Sequence, residues 1–226
     1  MFMAVPPAYD LLNRLLTLRF DERWRKQAAR RILSVRPDRV LDLCTGTGDL
    51  ALRLKREGGV GTGVWGLDYS APMLERARQK AGRRKLRDIQ FVIGDAADMP
   101  FSDGFFDAVG IAFAFRNLTF KNPDTAKFLS EILRVLKPGG SFVVVETSQP
   151  KNRLFRKVVH FYLKKITVPV GGRISGQRGA YHYLAHSAAA YYTAEQVRQL
   201  LLDAGFSSVE YRLRLNGVAC IWEARK

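Results

Sequence analysis

Between Val40 and Asp49 the chain reads V-L-D-L-C-T-G-T-G-D: a short apolar run, two glycines one residue apart, and then the start of a helical pattern. A buried strand that turns through glycines into a helix is the opening of a β-α-β unit. This decapeptide therefore restricts the chain to α/β architectures that bind a ligand at the strand edge. Gly46 and Gly48 let backbone approach a ligand that a Cβ would exclude. Twenty residues beyond Gly48, a second apolar strand, 64–67, ends in Asp68. A carboxylate there can accept hydrogen bonds from both ribose hydroxyls of a nucleoside.

Gly46-x-Gly48 followed by Ala51 also satisfies the relaxed dinucleotide fingerprint, a weak signal alone. Two features turn the reading elsewhere. Asp42 lies inside the first strand, where a pyrophosphate has no use for negative charge. Gly94-Asp95-Ala96 follows a third strand, 89–93, and places another acid within reach of an adenine amine. Acids at three successive strand ends suit a cationic nucleoside without phosphate, and S-adenosylmethionine, with its ammonium and sulfonium, is such a ligand. The residues expected to bind it are Asp42, Gly46, Thr47, Gly48, Asp68, Tyr69, Asp95, Ala96 and Ala112.

Strand and helix patterns alternate from Arg39 to Glu146. A helix over 49–57 ends near Gly58-Gly59. Ser70 is placed to cap a helix opening Ala71-Pro72, with Met73, Leu74, Ala77 and Ala81 on one face. The run 106–112 is apolar almost throughout, as a strand covered on both faces should be. A helix from Thr125 to Leu136 meets a stop at Lys137-Pro138-Gly139-Gly140, and a strand over 142–146 follows. Thr193-x-x-Gln196 predicts a capping box, Gly205 a helix end, and Asn216-Gly217 a hairpin turn between strands 208–214 and 218–224. The expected fold is a Rossmann-like α/β domain of the class I methyltransferase type. Its seven-stranded sheet is mostly parallel, with helices on both faces and a C-terminal antiparallel hairpin. One domain spans 1–226: a helical lid (1–36), a cofactor core (39–146), a helical insertion shaping the substrate pocket (150–192), and a closing helix and hairpin (193–226).

The 226 residues suffice for one full core, and no apolar run is long enough for a membrane span or signal peptide, so a cytoplasmic protein is expected. Cys44 and Cys220 both fall in expected strands and read as buried small hydrophobes; no spacing resembles a metal site. Lys and Arg number 37 against 21 Asp and Glu, a net +16 that attracts polyanions or anionic lipid.

The segment after the fourth strand reads Phe113-Ala114-Phe115-Arg116-Asn117-Leu118-Thr119. It lacks the Pro-Pro turn common in amino-group methyltransferases, and its two aromatics and Arg-Asn pair look like a lid on an apolar ring bearing oxygens. Here the chain resembles the ubiquinone/menaquinone biosynthesis C-methyltransferases over nearly its whole length. The resemblance runs through Tyr9-Asp10-Leu11-Leu12-Asn13, Leu41-Asp42-Leu43, Gly46-Thr47-Gly48-Asp49, Phe113-x-x-Arg116-Asn117 and Leu136-Lys137-Pro138-Gly139-Gly140. It continues in Glu146-x-Ser148-x-Pro150, Tyr181-x-Tyr183-Leu184-x-x-Ser187 and Gly205-Phe206. The chain departs from the family at Thr45, Ala114, Phe115 and Ala112, where the family more often has Gly, Gly, Leu and Ser, and its C-terminal Gly-Gly segment is reduced to Asn216-Gly217.

The resemblance implies methylation of a ring carbon of a demethylated isoprenoid quinol, demethylmenaquinol first. Arg116 is then expected to stabilise the ring oxyanion, Asn117 to orient the second ring oxygen, and Tyr9 to hold the ring from the lid. Arginine is too basic to accept the proton, and His160 and His182 are conceivable bases. Such a quinol lives in a bilayer, so the amphipathic basic stretch Lys151–Ile166 is expected at a membrane surface, or else as an ordinary core helix. A homodimer is left open, and no nucleic-acid partner is expected. The rival readings are an RNA methyltransferase, favoured by charge but lacking an RNA-binding module, another small-molecule methyltransferase, and a non-catalytic S-adenosylmethionine-binding protein.

Overall fold

In the computed structural model, which describes residues 14, 16–176 and 178–226, seven strands form one sheet. They are β1 (Arg39–Leu43), β2 (Gly63–Asp68), β3 (Ile89–Ile93), β4 (Phe106–Ala112), β5 (Leu136–Thr147), β6 (Ser208–Arg214) and β7 (Ala219–Arg225). Their spatial order is β3-β2-β1-β4-β5-β7-β6. All pairings are parallel except those of β7 with β5 and β6, so β7 is the one reversed strand.

The described helices are α1 (Phe20–Leu33), α2 (Asp49–Gly58), α3 (Ala71–Arg83), α4 (Phe115–Thr119), α5 (Thr125–Val135), α6 (Arg153–Tyr162), α7 (Val168–Ser175), α8 (Arg178–Ala190) and α9 (Ala194–Asp203). A π-helical turn, Leu163–Thr167, joins α6 to α7 where one helix to Ile166 was expected.

Successive strand residues point to opposite faces, and here both faces are covered, so neighbours in one strand enter two cores. Leu41, Val109, Phe142 and Trp222 pack with α5 and α9. Val40, Ala108, Val143 and Val145 pack with Trp24, Ala28 and Ile32 of α1 and with Leu50 and Leu54 of α2. The indole N–H of Trp222 donates to the Ala194 carbonyl at 2.9 Å, satisfying the one polar atom of a fully buried ring. In α3 the buried residues are Met73, Leu74, Ala77 and Ala81, as their spacing predicts. The capping box of α9 is formed by Thr193 and Gln196.

Four local expectations are corrected. Lys137–Gly140 ends α5 but does not leave the sheet. Leu136 already pairs with Phe106, and the next four residues bulge before Ser141 resumes opposite Ala108. A bulge tolerates Pro138, which lacks the N–H a regular ladder needs. The β6–β7 connection spans four residues, because Arg214 pairs with Ala219 and Leu215, Asn216 and Gly217 all take positive φ. Cys44 lies one residue past β1, at φ 52°, and begins the glycine turn instead of ending the strand. Ser70 holds the N-cap position of α3, yet its side chain makes no capping bond.

Candidate active site

The carboxyl ends of β1, β2, β4 and β5 open onto one cavity of about 830 Å³, within the usual range for small-molecule sites. At its β1–β2 end the glycine turn is built by the same acids the sequence assigned to a ligand. Asp42 Oδ2 accepts from the Thr45 hydroxyl at 2.5 Å and from the Ala51 N–H at 2.9 Å. Asp68 Oδ2 accepts from the Gly46 N–H at 2.8 Å, and its Oδ1 from the Ser70 N–H at 2.9 Å. Gly46, at φ +56°, has open space where a Cβ would stand. Gly48, at φ +81°, lies behind the wall, where a Cβ would come within 2.9 Å of the Ala77 methyl on α3.

Thr47, Tyr69, Asp95, Ala96 and Ala112 line the cavity together with Asp42, Gly46 and Asp68. Asp95 is exposed and its Oδ1 accepts from the Ala97 N–H, while Tyr69 is 56% exposed at the rim. The Thr47 hydroxyl accepts from Lys80 at 3.0 Å, and Lys80 also pairs with Asp49. Burial opposes ionisation of Asp49, but Lys80, Arg25 and Arg14 together outweigh it and hold that carboxyl below its usual range.

Asp42 is only 1% exposed, and no described basic side chain forms an ion pair with it. Burial pushes its carboxyl up to about 7; the bonds from Thr45 and Ala51 and the field of Arg25 offset this only in part, and Asp68 adds to it. Burial raises Asp68 too. Two crowded acids short of positive charge at a strand edge fit a ligand that brings cations, as S-adenosylmethionine does.

Just past the carboxyl end of β4, Phe113 takes φ 59° and lies under the Arg25 guanidinium, 5.0 Å from its ring centre. Arg25 is held in place by Asp21 at 2.6 Å. Arg116 and Asn117 both reach the cavity wall. Arg116 Nη1 donates to Glu146 Oε1 at 3.2 Å and to the Thr147 hydroxyl at 2.9 Å, and its backbone N–H donates to Glu146 Oε2. Arg116 Nε and Asn117 Oδ1 are buried without a hydrogen-bond partner among the described residues. Phe115, expected in the pocket wall, is fully buried against Phe142 in the core instead. Tyr9 lies outside the described residues.

The far wall comes from α6 to α8. No residue of α6 is buried, although Phe155 and Val159 line the cavity. The Tyr162 hydroxyl donates to the Leu16 carbonyl at 2.9 Å, tying α6 to the N-terminal segment. Tyr181 of α8 packs against Gly171, where even a Cβ would collide with its ring. His160 contacts Gln149 and lines the cavity, whereas His182 is exposed and does not. Glu146, Gln149 and Arg25 were missed as site residues. Only Glu146 carried a signal, as a lone charge closing the apolar run Phe142–Val145.

The model of the ubiE/COQ5 methyltransferase family matches residues 1–226. The chain is 47% identical over 221 residues to a demethylmenaquinone methyltransferase of Thermus thermophilus, covering 98% of this chain and 97% of that protein. It is 42% identical over 226 residues to another of Deinococcus radiodurans, covering 100% and 91%. Among solved structures, a SAM-dependent methyltransferase from Aquifex aeolicus shares the fold at TM-score 0.60 and 19% identity, over 87% of this chain and 88% of that one. A Haemonchus contortus phosphoethanolamine N-methyltransferase in complex with S-adenosyl-L-methionine does so at 0.57 and 19% identity, over 84% and 48%.

The sheet order, the glycine turn and the acid-lined edge are those of an S-adenosylmethionine-dependent methyltransferase, and this chain is one. More particularly, it belongs to the ubiE/COQ5 methyltransferase family, which places its reaction among the C-methylations of quinone biosynthesis.

Proposed function

We propose that the chain methylates a ring carbon of a demethylated isoprenoid quinol, demethylmenaquinol foremost, while docked on an anionic membrane surface. The observation that carries this is the continuity of the cavity. It runs from the acids at β1 and β2, past Arg116 and Asn117, to the apolar side chains of α6. Bound at the acidic end, S-adenosylmethionine supplies an electrophilic methyl group. Arg116 and Asn117, which line the cavity, offer a donor and an acceptor to the ring oxygens. Arg116 favours the ring oxyanion by charge-assisted hydrogen bonding.

The membrane part of the reading rests on α6. Leu154, Val158 and Phe161 are 74%, 56% and 62% exposed, and Ile166 follows at 41%. Arg153, Lys157, Lys164 and Lys165 stand exposed among them. An exposed apolar stripe flanked by cations suits the headgroup boundary of anionic lipid, with the tail of the quinol entering between α6 and the strand edge. No described helix is long and apolar enough to cross a membrane.

Labelled S-adenosylmethionine supplied with reduced demethylmenaquinone, in vesicles with and without anionic lipid and with RNA as a parallel acceptor, tests the whole reading. Label in the quinol, faster in anionic vesicles and slowed by salt, is the expected result. Label in RNA alone overturns it, and equal rates in both vesicle types overturn the docking.

A further inference from the structure

Ring methylation needs an acceptor for the quinol hydroxyl proton, and neither the guanidinium of Arg116 nor the amide of Asn117 is one. We propose that His160 is that acceptor and that Gln149 positions it. This rests on the quinol reading above.

The argument begins with an amide whose orientation is decided by its neighbours. Gln149 is buried two residues past β5, and its Nε2 donates to the Ala188 carbonyl of α8 at 2.7 Å. The amide is therefore oriented with Oε1 toward α6, where it lies 3.0 Å from His160 Nε2. An amide oxygen only accepts, so His160 Nε2 carries the proton. In the neutral imidazole that leaves Nδ1 with the lone pair, and among the described residues His160 makes no other hydrogen bond. The side chains of His160 and Gln149 line the same cavity as Arg116 and Asn117, but from the α6 wall. In this arrangement the reacting hydroxyl lies between the two walls, its oxygen toward Arg116 and its hydrogen toward His160.

The surroundings keep the imidazole neutral and ready to accept. Burial lowers its affinity for a proton, and Lys164 and Arg156 of the same helical stretch lower it further. Other charged or titratable groups lining the cavity include Tyr162 of α6, Asp21 and Arg25 of α1, Arg116 of α4, Glu146 of β5 and Tyr181 of α8. Asp21 and Glu146 are already paired with Arg25 and Arg116, respectively.

The step balances without a further reactant. The quinol O–H bond breaks and its proton passes to His160 Nδ1. The oxygen electron pair is delivered through the ring to form the C–CH3 bond, while the methyl–sulfur bond breaks and leaves its pair on sulfur. The ring C–H proton at the methylated carbon is then lost and the oxygen is reprotonated, so one proton in total leaves to water through the imidazole.

Three readouts test this with the full chain and a reduced demethylated quinol in detergent. At saturating S-adenosylmethionine, kcat of the wild type should fall with a single acid limb as His160 is protonated, below the ordinary histidine value of about 6.5. His160→Gln should lose about 10²- to 10⁴-fold in kcat, lose that limb, and recover partly with added imidazole. Nitrogen-15 NMR of histidine-labelled protein, without cofactor or quinol, should show the Nε2–H tautomer for His160, and Gln149→Leu should erase that preference. A purely structural histidine would shift quinol KM and the unfolding midpoint without moving the acid limb or responding to imidazole. If the wild type methylates the quinol while His160→Gln keeps kcat within about threefold and the same limb, the assignment is overturned and the quinol reading stands. If no quinol is methylated by the wild type, the quinol reading itself fails and the assignment goes with it.

Discussion

Asp42→Asn should make the protein without its cofactor more stable and bind the cofactor less well. The Asp42 carboxyl is raised from 3.8 to about 7, chiefly by burial. Between those values the folded chain holds a proton that the unfolded chain has released, so this residue makes stability decline as pH rises through that window and level off above about 7. At about 1.4 kcal/mol per unit, the ionised carboxylate costs the fold at most about 4 kcal/mol at pH 8. Asparagine keeps an acceptor for the Thr45 hydroxyl and the Ala51 N–H and never ionises. Urea unfolding from pH 5 to 8.5 should show a steeper decline in the wild type than in Asp42→Asn, with the variant ahead by a few kcal/mol at the alkaline end. Calorimetric titration of S-adenosylmethionine at pH 6.5, in two buffers of different ionisation heat, should show proton release on binding to the wild type alone. Stability curves that run parallel over the whole range would falsify the assignment of this charge to the fold's ledger.

Two further substitutions probe the same edge. Arg116→Ala leaves Glu146 buried at 0% exposure with its counter-charge gone, so it should lower stability by about 3–5 kcal/mol as well as quinol turnover. Adding Glu146→Gln should restore much of that stability and none of the turnover; no recovery in the double variant would mean the pair is not coupled. Gly48→Ala forces a φ of +81° on alanine and a methyl contact of 2.9 Å with Ala77. It should cost about 1–3 kcal/mol by denaturant unfolding and weaken cofactor binding through the turn, and an unchanged midpoint would contradict the close approach of α2 and α3.

What the sequence made legible is what local patterns encode. Strand β4 over Phe106–Ala112 and the buried face of α3 were readable because each is a contiguous apolar signal with one period. The turn at Gly46 and the acids Asp42 and Asp68 were readable because a glycine-rich strand end allows few alternatives. The bulge at Lys137–Gly140 was not, since Pro-Gly-Gly signals a helix end and says nothing about whether the chain has already entered the sheet. Phe115 was misplaced because α4 rotates it into the core, and one turn of helix carries too few residues for a period to appear. Gln149, in the connection after β5, meets His160 of α6 through a side-chain hydrogen bond that no pattern in either segment announces.

The acids that build the turn are also the ones proposed to face the cofactor, and this has an energetic consequence. A site made only to be stable would neutralise Asp42 with one of the chain's many cations. Arg25 passes close enough to be felt by that carboxyl, yet its guanidinium is committed to Asp21 and to the face of Phe113. The buried carboxylate is thereby left short of positive charge from the chain itself, a strain that the ammonium of the cofactor would relieve in the proposed placement. Cofactor affinity and the stability of the unliganded protein are then opposed through one residue. Any change that supplies Asp42 with an internal cation should raise the second and lower the first.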